Sequence, residues 1–183
     1  MIAYKGFEKG LICRGYQFTM GENVTAEANC AQNGFHSAEN PLDCITYYGN
    51  INNSVYCVVE AGGDIDEDDR DSKIASTELR IIRQLTVEQL FLHGLAFMVD
   101  HPKRAWSSHV SKDKAVASSG YAVVRGADPV AKGRLGDILA FAKESDNKQS
   151  IERIALTRVD GKSIRPNVWY DIDFKERRKV SGE

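Results

Sequence analysis

The sequence predicts an α+β protein: a β-rich N-terminal module, one central buried helix, short solenoid-like turns and a C-terminal β-hairpin. Three observations lead there. Residues 1–84 break into short apolar segments separated by turn residues, the spacing of strands. A long apolar helix follows, opened by a capping box at Thr86. Beyond it the composition shifts to alanine, valine and glycine, then to a segment pivoting on Asp160-Gly161. The shift divides the chain into an N-terminal module, 1–104, and a C-terminal part, 105–183.

In chain order, Ile2 to Phe7 reads as a strand ended by the turn Glu8-Lys9-Gly10. Leu11 to Met20 reads as a second, with Tyr16 and Phe18 alternating with polar residues. Pro41 to Tyr48 is a short helix with Asn40 as N-cap; proline at the first position sacrifices no hydrogen bond. Val55 to Val59 is an unbroken apolar run, the mark of a buried strand, and Lys73 to Ile82 is another β segment.

At the helix start, the Thr86 hydroxyl and the Gln89 side chain can satisfy each other's backbone amides. The run from Leu90 to Val99 is apolar on most sides, which predicts a central packing element stopped by Pro102. Val116, Val123 and Val130 then recur at a short period, as do Gly126 and Gly133. Small residues at such a period predict stacked tight turns over 115–135. Ile138 to Ala142 adds a strand, with a polar loop from Lys143 to Ser150. Ile151 to Val159 and Lys162 to Asp173 flank Asp160-Gly161 as a hairpin. The charged tail Lys175 to Lys179 is expected to fray.

The chain has 183 residues, enough to bury a core without disulfides or metals. Its 24 basic and 26 acidic side chains nearly cancel, which argues against a nucleic-acid partner. No segment has the apolar length of a membrane span or signal peptide, so a cytoplasmic, non-membrane protein is expected. Cys13, Cys30, Cys44 and Cys57 are too widely spaced for a zinc site and read as free thiols. No metal or cofactor is expected.

Familiar motifs fail at named positions. Gly161-Lys162-Ser163 lacks the earlier glycine of a phosphate loop, since Leu156 stands there. The acidic run from Asp64 to Asp71 has Asp69 and Ala75 where a calcium loop needs Gly and Glu, and reads as a solvated loop. The four histidines, His36, His93, His101 and His109, match no metal spacing.

One constellation stands out: Arg14-Gly15-Tyr16, Gly34-Phe35-His36 and Ser76-Thr77-Glu78. Its parts resemble those of NAD-consuming ADP-ribosyltransferases. That resemblance implies Lys5 or Arg14 on phosphate, His36 and Tyr48 framing the nicotinamide, and Glu78 as the catalytic residue.

A wider resemblance rests on Ala3-Tyr-Lys-Gly-Phe7, Cys13-Arg-Gly-Tyr-Gln-Phe18, Asn33-Gly-Phe-His36, Asn40-Pro-Leu-Asp43 and Tyr47-Tyr48. Asp71-Ser-Lys73, Ala75-Ser-Thr77 and the segment from Val159 to Tyr170 add to it. Together these resemble an uncharacterised phage and prophage family, whose N-terminal module is followed by Ala/Gly/Ser-rich repeats. The family brings no function, but it implies a phage accessory protein working in the bacterial cytoplasm. The expectation is therefore a non-catalytic protein that binds a host protein and antagonises a defence system. The alternatives are the NAD-using enzyme, or a sponge for a nucleotide signal held near Lys5, Arg14 or Arg80. Self-association stays open.

Overall fold

The computed structural model describes residues 1–26, 33–67 and 72–178. The chain divides into two compact units, Met1–Leu90 and Phe91–Glu183. In the first, β1 (Ile2–Glu8) is the expected opening strand. The expected strand Leu11–Met20 is instead two short strands, β2 (Ile12–Cys13) and β3 (Tyr16–Gln17), folded back on each other. Arg14 and Gly15 make that turn with φ of 49° and 79°, left-handed conformations that suit the twist of a tight hairpin. Alternation of Tyr16 and Phe18 had hidden the turn, because a two-residue strand has too few positions to show a period.

Two further strands, β4 (Gly21–Val24) and β5 (Phe35–Ala38), carry no apolar run and were not foreseen. The short helix forms as expected: a 3₁₀ turn, Pro41–Asp43, leads into α1 (Cys44–Tyr47). Asn40 Oδ1 accepts from the Leu42 amide at 3.1 Å, and Pro41 occupies the first turn. The longest strands, β6 (Ser54–Glu67) and β7 (Lys73–Leu85), overrun both predicted segments. Asp64, Asp66 and Glu67 thus belong to a strand rather than a solvated loop, while Asp68, Asp69 and Asp71 lie outside the described residues. Cys30 lies outside them as well.

The pairings of this unit close on themselves. β1 pairs with β6, β6 with β7, β7 with β5 and β5 with β1, all antiparallel. A sheet that returns to its first strand encloses its own core. Ala3, Phe7, Phe18, Phe35, Cys57, Val59, Leu79 and Ile81 fill it. Alternation along β1 directs Lys5 to the same side as Ala3 and Phe7, so an ammonium group enters an apolar interior.

Helix α2 (Val87–Asp100) begins with the predicted reciprocal cap. The Thr86 amide donates to Gln89 Oε1 at 2.9 Å, and the Gln89 amide donates to Thr86 Oγ1 at 3.2 Å. It is not buried all round, as its composition had implied. Leu90, Phe91, Leu95 and Met98 are buried along one stripe, while Leu92 and Val99 are 43% and 41% exposed.

The second unit is a mixed sheet of β8 (Val110–Val116), β9 (Tyr121–Lys132), β10 (Ile138–Glu144), β11 (Ile151–Arg158) and β12 (Tyr170–Asp171). β9 runs parallel to both β8 and β10, and β10 is antiparallel to β11. The solenoid-like turns are absent from residues 115–135: most of that stretch is the single strand β9, with Ala122, Val123, Val124, Val130 and Ala131 buried. The repeated alanines and valines are what a strand covered on both faces requires.

The C-terminal hairpin is also corrected. β11 pairs with β10, and β12 pairs with β9. Asp160 instead accepts from the amides of Lys162 and Ile164, at 2.8 and 2.9 Å, and turns the chain away from β11. Those backbone bonds hold its carboxyl below the ordinary value. The tail is held by Arg177, whose amide donates to the Trp169 carbonyl at 2.9 Å, and Lys179 lies outside the described residues. Arg177 pairs with Asp128 at 2.5 Å and Asp171 at 3.4 Å, and Arg165 pairs with Glu176 at 2.5 Å.

Candidate functional site

The first unit carries a cavity of about 530 Å³ beside β1, β5 and α1. Four residues singled out from the sequence line it together: Lys5, Arg14, His36 and Tyr48. Each is delivered by a different local device. Lys5 comes from mid-β1, Arg14 from the β2–β3 turn, His36 from β5, and Tyr48 follows the end of α1.

Lys5 is the most constrained of the four. It is 4% exposed, its Nζ donates to the His36 carbonyl at 2.6 Å, and it stands 5.3 and 5.2 Å from the ring centres of Phe7 and Phe18. Cation–π attraction strengthens when the ammonium is shielded from water. Burial lowers the pKa of Lys5, while contact with the Cys13 thiol opposes that effect. Tyr48 donates its hydroxyl to Cys13 Sγ at 2.9 Å, and the Tyr56 hydroxyl donates to the Tyr48 carbonyl, fixing the end of α1 from below. Burial and the bond to Cys13 raise the Tyr48 pKa, so the phenol is a neutral donor.

Sequence reasoning gave no binding role to several wall residues. Cys13, Tyr16, Tyr47 and Lys73 all line the cavity, with Lys73 Nζ 5.8 Å from the Tyr47 ring centre. The aromatic density of Tyr16, Tyr47 and Tyr48 was the available signal. Glu8 and Asp43 add carboxylates to the wall, and Ser72 donates to Asp43 at 2.6 Å. Ser37 is also among the lining residues, and its buried hydroxyl has no hydrogen-bond partner among the described residues. A buried hydroxyl without a partner costs free energy.

Two residues named from the sequence lie elsewhere. Glu78 is not part of this wall: its side chain lies over Gly62 and Gly63 of β6. Arg80 faces Glu22 of β4 at 3.7 Å, both largely exposed. Among the described residues no cluster of His, Cys, Asp and Glu could hold a metal ion. No helix among them is long and apolar enough to cross a membrane.

Fold and site together define a small closed-sheet module with a tyrosine-lined pocket whose wall carries both cations and carboxylates. The chain belongs to the family described as Domain of unknown function (DUF7666), whose model matches residues 1–93, a span that holds the whole pocket. No curated protein and no solved structure matches the chain.

Proposed function

We propose that the N-terminal unit is a non-catalytic binding module for a small ligand with a phosphate and a planar ring, of the nucleotide class. The observation that carries this reading is the convergence of Lys5, Arg14 and Lys73 with Tyr16, Tyr47 and Tyr48 on one cavity. Cations recognise phosphate, tyrosine faces stack on a base, and the volume suits a ligand of that size.

In a phage accessory protein such a module would sequester a nucleotide signal on which a host defence depends. This joins the sponge reading to the host-directed role implied by the family resemblance. A host protein as the direct partner draws no comparable support from the pocket. The NAD-transferase reading draws none from Glu78, which does not line it.

Calorimetric titration of the full chain with AMP, NAD⁺, adenosine and inorganic phosphate tests the proposal. AMP or NAD⁺ binds more tightly than adenosine or phosphate alone. Arg14→Ala and Tyr47→Ala each weaken that binding about tenfold, roughly 1.4 kcal/mol. Glu78→Gln leaves it unchanged. Absence of binding by all four at millimolar concentration sinks the reading, as does NAD⁺ turnover that disappears in Glu78→Gln.

A further inference from the structure

The cavity wall carries one anchored group that phosphate binding and ring stacking do not explain, the carboxylate of Asp43. Asp43 is half-buried and among the lining residues. Its Oδ2 accepts from the Ser72 hydroxyl at 2.6 Å, and the Asn40 amide donates to Ser72 Oγ at 3.0 Å. Ser72 is itself buried, so a backbone donor sets the carboxylate's orientation through one hydroxyl. Among the described residues, Oδ1 of Asp43 takes no hydrogen bond or ion pair.

We propose, resting on the nucleotide reading above, that Asp43 selects ribonucleotides by accepting hydrogen bonds from the 2′- and 3′-hydroxyls of the ligand's ribose. An ionised carboxylate only accepts, so the ligand must offer donors where Asp43 stands. A phosphate group offers acceptors alone and is repelled by a second negative charge. Each carboxylate oxygen has about two acceptor positions, so Oδ2 keeps one beside its bond to Ser72. Two adjacent sugar hydroxyls suit two such oxygens. An acidic side chain reads ribose in this way in dinucleotide-binding folds.

Placement favours the sugar over the rest of the ligand. Asp43 and Tyr47 stand four residues apart on continuous helical backbone, since the 3₁₀ turn runs directly into α1. Side chains at that spacing are neighbours, with Cβ atoms about 5–6 Å apart. Tyr47 is 53% exposed, and Lys73, the residue after Ser72, holds its Nζ 5.8 Å from the ring centre. A base stacked on Tyr47 thus brings its own sugar to Asp43, and Lys73 supplies a cation at the same end for the phosphate. Glu8, the other carboxylate of the wall, is exposed and lacks an anchoring hydrogen bond among the described residues.

The test is calorimetric titration of the full chain with AMP, 2′,3′-dideoxy-AMP and purine riboside 5′-monophosphate, which lacks the amine of adenine. Wild type binds AMP about tenfold more tightly than the dideoxy analogue, as expected when hydrogen bonds to a charged group are lost. It binds the purine ribotide as it binds AMP. Asp43→Asn keeps an oxygen for Ser72 and presents an amide in place of the second one. AMP affinity then falls about tenfold, the dideoxy affinity holds, and the preference disappears. Should that variant fail to fold, Ser72→Ala takes its place: it releases the carboxylate from its anchor and narrows the same preference. Equal binding of AMP and the dideoxy analogue by wild type overturns the proposal and leaves the nucleotide reading standing. A preference that survives in the variant, or equal losses for both ligands, overturns it too. A preference for AMP over the purine ribotide that vanishes in Asp43→Asn assigns Asp43 to the base amine instead. Binding of none of the three overturns this proposal and the nucleotide reading together.

Discussion

Tyr48 is packed against Gly6 so closely that a Cβ at Gly6 would lie 2.5 Å from its Cδ2 and 2.9 Å from its Cγ. The ring can reach Cys13 across β1 because β1 has no side chain at that position. Gly6→Ala therefore forces the ring or strand aside. The expected cost is about 1–3 kcal/mol, typical of overpacking. Denaturant titration reads that cost, and alkylation of Cys13 becomes faster as its hydroxyl partner withdraws. Unchanged stability together with an unchanged alkylation rate would show that the contact is slack.

The buried thiols make stability depend on alkaline pH. Burial raises Cys44 to about 12 and Cys57 to about 11, from an ordinary 9.0. Above pH 9 the unfolded chain loses these protons while the folded chain keeps them, so stability falls toward those raised values. Lys5 acts in the opposite sense. Its folded pKa lies below 10.5, so just beneath 10.5 the unfolded chain holds more protons and stability rises with pH. Urea unfolding between pH 8 and 10.5 separates the two groups. Cys44→Ala shows a shallower loss than wild type, by up to about 1.4 kcal/mol per pH unit, and Lys5→Met a steeper one. Parallel curves for wild type and Cys44→Ala would remove the thiol as the cause.

In the second unit, Arg125 Nε meets Glu144 Oε1 at 2.9 Å with the side chains only 4% and 10% exposed. Arg125 also donates to the Pro102 carbonyl at 2.7 Å and lies 4.6 Å from the Trp106 ring centre. Arg125→Ala strands a buried carboxylate and is expected to cost about 3–5 kcal/mol, far more than any surface pair here. The double replacement Arg125→Met with Glu144→Leu recovers much of that loss, because it removes both buried charges. Thermal and denaturant unfolding read both, and equal losses in single and double variants would count against an electrostatic cause.

The cap at Thr86 provides a small, local control. Thr86→Ala removes the acceptor for the Gln89 amide and should cost about 1 kcal/mol without touching the pocket. Calorimetry of ligand binding and unfolding of the same sample checks both halves of that statement. A lost pocket affinity would mean the helix start and the binding site are coupled.

Local chemistry was legible wherever a few neighbouring residues decide the outcome. Asn40-Pro41 and Thr86 to Gln89 name their own hydrogen bonds, and the apolar run at Val55 names its own burial. Four pocket residues, Lys5, Arg14, His36 and Tyr48, were picked out through the resemblance of Arg14-Gly15-Tyr16 and Gly34-Phe35-His36 to parts of an NAD-consuming transferase. Short strands such as β5 were illegible, since four residues of mixed polarity carry no period. The alanine-valine stretch misled for a related reason: small apolar residues suit stacked turns and doubly covered strands equally.

By itself, then, the sequence determined a β-rich α+β chain, its helix caps and the candidates Lys5, Arg14, His36 and Tyr48. Only the tertiary structure decided that these four share one cavity while Glu78 lies outside it. Only pairing across distant positions, such as Tyr4 with Ala38 and Ala3 with Val59, closes the sheet. Closure converts an ordinary strand position into a buried ammonium that donates to the His36 carbonyl. No local pattern encodes that contact, because it arises from strands far apart in the chain returning to one core.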